Sequence, residues 1–80
     1  MPKLRQLSGK EVISFFEQKG FIVCRQKGSH VNMSRIVSER KQVLTILNHK
    51  EINRGTLHEI FKQASHFVLE SELREYFYTE

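Results

Sequence analysis

The stretch FIVCRQKGSHVNMSRIVSERKQVLTIL, residues 21–47, decides the fold, because it holds three β-forming runs separated by two short polar breaks. Phe21 to Arg25 is continuous, β-branched and aromatic, which predicts a strand buried on one face and partly covered on the other. The break QKGS contains a glycine and reads as a turn. From His30 to Val37 the residues alternate, with Val31, Met33, Arg35 and Val37 on one side and Asn32, Ser34 and Ile36 on the other. Arg35 and Ile36 sit on the unexpected sides of that alternation. SERK, residues 38–41, reads as a polar hairpin loop, and QVLTIL, residues 42–47, as a third strand. Connections this short join antiparallel neighbours, so the three runs make a meander.

Helical patterns lie on either side of it. Ser8 to Glu11 spells S-x-x-E, a capping box, with Leu7 and Val12 at the positions of a hydrophobic staple. Val12, Ile13 and Phe16, with Phe15 close by, form an apolar stripe, and Gly20 is a natural stop, which predicts a helix over about residues 9–19. After the polar connection NHKEINRG, residues 48–55, Thr56 to Glu59 gives a second box, T-x-x-E. Leu57, Ile60, Phe61 and Ala64 supply the stripe of a second helix. Leu69, Leu73, Tyr76 and Phe77 are also helically spaced and allow a short third one, while Pro2 falls in a terminus expected to fray. The order α-β-β-β-α predicts an α+β domain whose helices cover one face of a three-stranded antiparallel sheet. The other face is left to solvent or to a partner.

Eighty residues make one domain, 1–80, with its core over about residues 8–64 and an acidic extension over 65–80. The lone cysteine, Cys24, has no intramolecular partner and is expected to be a small buried hydrophobe. With no long apolar run, the expectation is a soluble, cytoplasmic, reduced protein with no membrane partner. The net charge of +4 conceals an asymmetry: residues 1–68 carry twelve Lys or Arg against five Glu, and residues 69–80 one Arg against four Glu. A basic body on a small domain is the electrostatic footprint of a nucleic-acid binder. The chain has no Asp, which weighs against a carboxylate-caged two-metal nuclease. His49, His58 and His66 are scattered without ligand spacing, so neither a metal nor another cofactor is expected.

SGKEVISFFEQKGFIVCRQKGSH followed by strands and then KEINRGTLHEIFKQA resembles the HicA family of small toxins, mRNA interferases with a fold like the double-stranded RNA-binding domain (dsRBD). The resemblance runs from about Ser8 to Ala64 and rests on the joint order of S-G-K-E, G-F, R-Q-K-G-S-H, G-T-L and I-x-K-Q-A. Two positions depart from it: Leu47 stands where relatives commonly have a proline, and Ser65 where they usually have glycine after Q-A. The resemblance implies that His30, the histidine of G-S-H, is catalytic, that the substrate is mRNA, and that a HicB-type antitoxin neutralises the protein.

RNA carries its own nucleophile in the 2′-hydroxyl, so a protein can cleave it without a metal if it moves protons and opposes charge. An imidazole titrates near neutrality and suits either proton transfer. Arg25 and Lys27 are then candidates to hold the scissile phosphate, and Ser29 to donate a hydrogen bond. Arg35 is a candidate for the flanking backbone if it faces outward, and Gly28 lets the turn approach RNA. No second acid–base group stands out. The alternative is a non-catalytic RNA-binding module of the same topology, although GTLHEIFKQ lacks the lysine cluster that duplex binders place at the start of the last helix.

Overall fold

The computed structural model describes residues 2–79, and at its centre stands the meander: β2 (Ile22–Lys27), β3 (His30–Val37) and β4 (Arg40–Leu47), antiparallel in that order. Before it come a two-residue strand, β1 (Lys3–Leu4), and α1 (Gly9–Gln18). After it come α2 (Arg54–Ala64), α3 (Glu70–Phe77) and a closing strand, β5 (Tyr78–Thr79). The chain is thus α+β, and α1 through α2 follow the α-β-β-β-α order of a dsRBD-like fold.

Period-two alternation sets the layers. Val31 and Met33 of β3 and Leu44 and Ile46 of β4 are fully buried in one cluster with Val12 and Phe16 of α1 and Leu57, Ile60 and Phe61 of α2. Among the described residues no helix covers the opposite sheet face, where Ile22, Ile36 and Val43 are exposed. The third helix forms and completes the core: Leu73 and Phe77 are buried, and the Phe77 ring meets Phe61 and Phe15 edge-on at 5.7 and 5.8 Å.

Several local expectations are corrected. Cys24 is exposed rather than buried, and so is every residue of β2, because β2 is an edge strand with no covering layer; only Phe21, just before it, enters the core. A register shift between Val23 and Arg25 bulges Cys24 out of the ladder. The second hairpin turn is Ser38 and Glu39 alone, both at positive φ (51° and 66°), so β4 starts at Arg40. Two left-handed residues are what a type I′ turn needs to match the twist of its strands. The first capping box forms as predicted between Ser8 and Glu11, but α2 is capped by Asn53, whose side chain accepts a 2.8 Å bond from the Thr56 amide. Thr56 lies inside the helix. The N-terminus is not frayed from Lys3 on: Lys3 and Leu4 pair with Thr79 and Tyr78, and the Arg5 amide donates to the Phe77 carbonyl at 2.8 Å.

Candidate functional site

His30 begins β3, on the parity opposite to buried Val31, and therefore stands on the uncovered sheet face. Its cross-strand partners are Lys27 on β2 and Leu47 on β4. Directly paired residues hold their Cβ atoms about 4.5–5.5 Å apart, so Lys27 and His30 are immediate neighbours on this face. The next row on this face is Arg25, Asn32 and Thr45, tied by a 3.1 Å bond from Thr45 Oγ1 to Asn32 Oδ1. The structure thus gathers Arg25, Lys27 and His30 on one surface.

The turn between Lys27 and His30 is Gly28 and Ser29 alone. Gly28 adopts φ +59° with nothing within 4 Å of where a Cβ would stand, so the chain reverses in two residues and leaves the turn open to solvent. Ser29 is half-buried, and its carbonyl accepts a 2.7 Å bond from the Asn48 amide, which fastens the turn to the end of β4. That same segment is seated against α1. A Cβ on Gly9 would lie 2.4 Å from Asn48 Cα and 2.9 Å from the Leu47 carbonyl oxygen, and the Gly9 amide donates to the His49 carbonyl at 2.8 Å. The start of α1 therefore backs the row that holds His30.

Arg35 is placed elsewhere. It lies on the core side of β3, five residues or roughly 17 Å along the strand from His30, and its guanidinium is engaged within the protein. Nε donates to Gln42 Oε1 at 2.7 Å, one terminal nitrogen to the Lys19 carbonyl at 2.7 Å and the other to the Phe67 carbonyl at 2.8 Å. The group also stacks over the Phe21 ring at 4.5 Å. An outward Arg35 gripping RNA is not what this geometry holds; Arg35 joins the end of α1 and the α2–α3 connection to the sheet.

A shallow cleft of about 340 Å³ opens beside His30, lined by His30, Thr45, Leu47, Thr56, Glu59 and Gln63 over Ile60. Gln63 Oε1 accepts a 3.2 Å bond from the Thr45 amide, so α2 is pinned to the free edge of β4. Glu59 is the residue that reading along the chain missed: nothing local ties it to His30, and only the docking of α2 brings both to one hollow. A larger hollow, about 630 Å³, lies between α1 and α3, lined by Lys10, Phe15, Lys19, Glu72 and Tyr76 among others; it holds no candidate residue and is bridged by the Lys19–Glu72 ion pair.

His49, His58 and His66 are not among the residues lining the cleft beside His30. His58 stacks on Phe61 and His66 tilts against Phe67. Among the described residues no three His, Cys, Asp or Glu side chains come together in a way that could hold a metal ion. Toward the other end of the open face Ile22, Ser34 and Val43 share a row, with Ile36 beside them. Ile22, Ile36 and Val43 are 65%, 74% and 45% exposed, an apolar patch continuous with the polar end that carries His30. No described helix is long and apolar enough to cross a membrane.

A family model described as HicA toxin of bacterial toxin–antitoxin matches residues 9–65, from the first residue of α1 to the one after α2. No curated protein and no solved structure matches the chain. The matched span contains the meander, the cleft and every residue of the His30 surface, while β1, α3 and β5 lie outside it.

Proposed function

The chain belongs to the HicA toxin family, the toxin half of bacterial toxin–antitoxin pairs, and on that premise we propose that it is a metal-independent endoribonuclease that cuts mRNA with His30 as general acid or base. The observation that carries the proposal is the Lys27–His30 pair on an uncovered sheet face with Arg25 in the adjoining row. The uncovered face gives a single strand room to lie along it. Arg25 and Lys27 supply the positive charge that draws phosphates in and opposes the charge gained as phosphorus becomes pentacoordinate. An imidazole one strand from that ammonium can take the 2′-proton or give one to the departing 5′-oxygen. Cleavage by this route leaves a 2′,3′-cyclic phosphate and a 5′-hydroxyl end.

As the toxin of such a pair, the protein has an antitoxin partner. We take that partner to be of the HicB type and to cover the open face, because Ile22, Ile36 and Val43 offer apolar area contiguous with the surface that must be blocked. Occupation of that area would exclude RNA directly.

The test is induced expression of the wild type and of His30→Ala, with the 5′ ends of cellular mRNA mapped in each. New 5′-hydroxyl ends and growth arrest are expected for the wild type alone. Identical ends in both strains, or none in either, refute the assignment; RNA retention without cleavage by the wild type identifies a binding module instead.

A further inference from the structure

We propose that Glu59 is the second proton-transfer group of this site, acting as the base toward the 2′-hydroxyl while His30, as imidazolium, is the acid toward the leaving 5′-oxygen. The inference rests on the endonuclease reading and assigns a residue that reading leaves open. Three observations converge on it. Glu59 and His30 line the same cleft. The cleft's geometry is fixed rather than incidental: Gln63, one turn after Glu59 on the same face of α2, accepts the 3.2 Å bond from the Thr45 amide, and Thr45 belongs with Leu47 to the β4 residues flanking His30. Glu59 is also exposed, so its carboxylate can reach a substrate as well as its neighbour Lys62, 3.8 Å away.

The chemistry needs two groups with opposite duties. A lone pair of the 2′-oxygen forms the new O–P bond, and the 2′-proton passes to the Glu59 carboxylate. The P–O5′ bond breaks with its electron pair leaving on O5′, which takes the proton held by His30. The protein ends with Glu59 protonated and His30 neutral, and exchange with water restores both. Near neutral pH a carboxylate is the natural proton acceptor and an imidazolium the natural donor, so the two residue types fit these duties without inversion. Lys27, paired with His30 on the side away from α2, is left free to hold the phosphate between them.

The experiment uses a short RNA spanning a cleavage position mapped for the wild type, made with either oxygen or sulfur as the bridging 5′ atom at the scissile phosphate. A thiolate leaves without needing a proton, so this substrate relieves only the loss of the acid. With the oxygen substrate, Glu59→Gln and His30→Ala are each expected to lower the single-turnover rate by at least about 100-fold. With the sulfur substrate His30→Ala should recover most of that loss and Glu59→Gln none of it. Binding of the same RNA carrying a 2′-deoxy group at the scissile nucleotide should be as tight in Glu59→Gln as in the wild type or tighter, since a negative charge is removed. Glu59→Gln cleaving within threefold of the wild type, or being rescued by sulfur, overturns the assignment of Glu59 while leaving His30 standing. Absence of cleavage by the wild type would instead overturn the endonuclease reading itself.

Discussion

Arg35 is where a functional and a structural role for the same side chain make opposite predictions, and the structure sets the size of the effect. Its guanidinium makes three bonds of 2.7–2.8 Å, two to main-chain carbonyls in separate connections, and lies over Phe21. Hydrogen bonds from a charged donor contribute about 1.5–3 kcal/mol each. Arg35 is only half-buried, so water would replace part of what is lost, and a total of about 3–5 kcal/mol is expected on its removal. A chain of this length is stabilised by about 4–12 kcal/mol in all. Arg35→Ala should therefore lower the urea midpoint by about 3 M or more, at a slope of about 1 kcal/mol/M. Arg35→Lys should recover little of this, because one ammonium cannot reach three acceptors set around a planar fork. Denaturation followed by circular dichroism and tyrosine fluorescence measures it. A loss below about 1 kcal/mol, together with weaker RNA binding and a salt dependence shallower by about one phosphate contact, would refute the framework role and restore Arg35 to the RNA surface.

Gly9→Ala should cost about 1–3 kcal/mol or more in thermal unfolding, because its Cβ would stand 2.4 Å from Asn48 Cα and a main-chain atom cannot swing aside. Replacing Ser38–Glu39 by Asn-Gly should stabilise by about 1 kcal/mol, measured the same way, since both residues hold positive φ without the side chains or the freedom that suit it. Asn53→Ala should cost about 1 kcal/mol and Thr56→Ala distinctly less, reversing the order expected if Thr56 were the cap. The Ser8 amide, and then the Ser8 side chain, hold the Glu11 carboxyl below the ordinary carboxylate range. A depressed folded value means that this stabilisation is present above about pH 4.3 and is lost as pH falls through the folded value. Unfolding midpoints of Glu11→Gln should therefore fall less steeply than those of the wild type on acidification.

What could be read along the chain and what could not divide according to the range of the interaction that decides each feature. The Ser8–Glu11 box is settled within three residues, and both of its bonds form. The meander is settled by alternation and by turns of two residues, so its strands and their order were legible. The same alternation already put Arg35 with Val31 and Met33; what it could not show was that Lys19 and Phe67, 16 and 32 residues away, would present carbonyls to satisfy a cation there. Residue type then argued for RNA where position argued for the core, and position won. Cys24 failed for a related reason, because β propensity describes a strand and not the layer above it, and nothing in FIVCR says that this strand is an edge.

The candidate site follows the same division. Arg25, Lys27 and His30 lie within six residues, and a two-residue turn leaves them little choice but to meet on one face. Glu59 lies 29 positions from His30, and its place in the cleft depends on where α2 docks, which depends in turn on Gln63 reaching the edge of β4 and on Leu57, Ile60 and Phe61 reaching the core. Phe61 is itself packed by Phe77 and Tyr78, which belong to the acidic extension beyond the matched span. The extension thus acts on the site at one remove. Its apolar side helps to hold α2, and with it Glu59, against the sheet, while Glu72 is engaged by Lys19 at the far end of α1 and is not among the residues lining the cleft. The described carboxylates of the extension, Glu70, Glu72 and Glu75, are not among the residues lining the cleft, while its Phe77 and Tyr78 supply packing to α2.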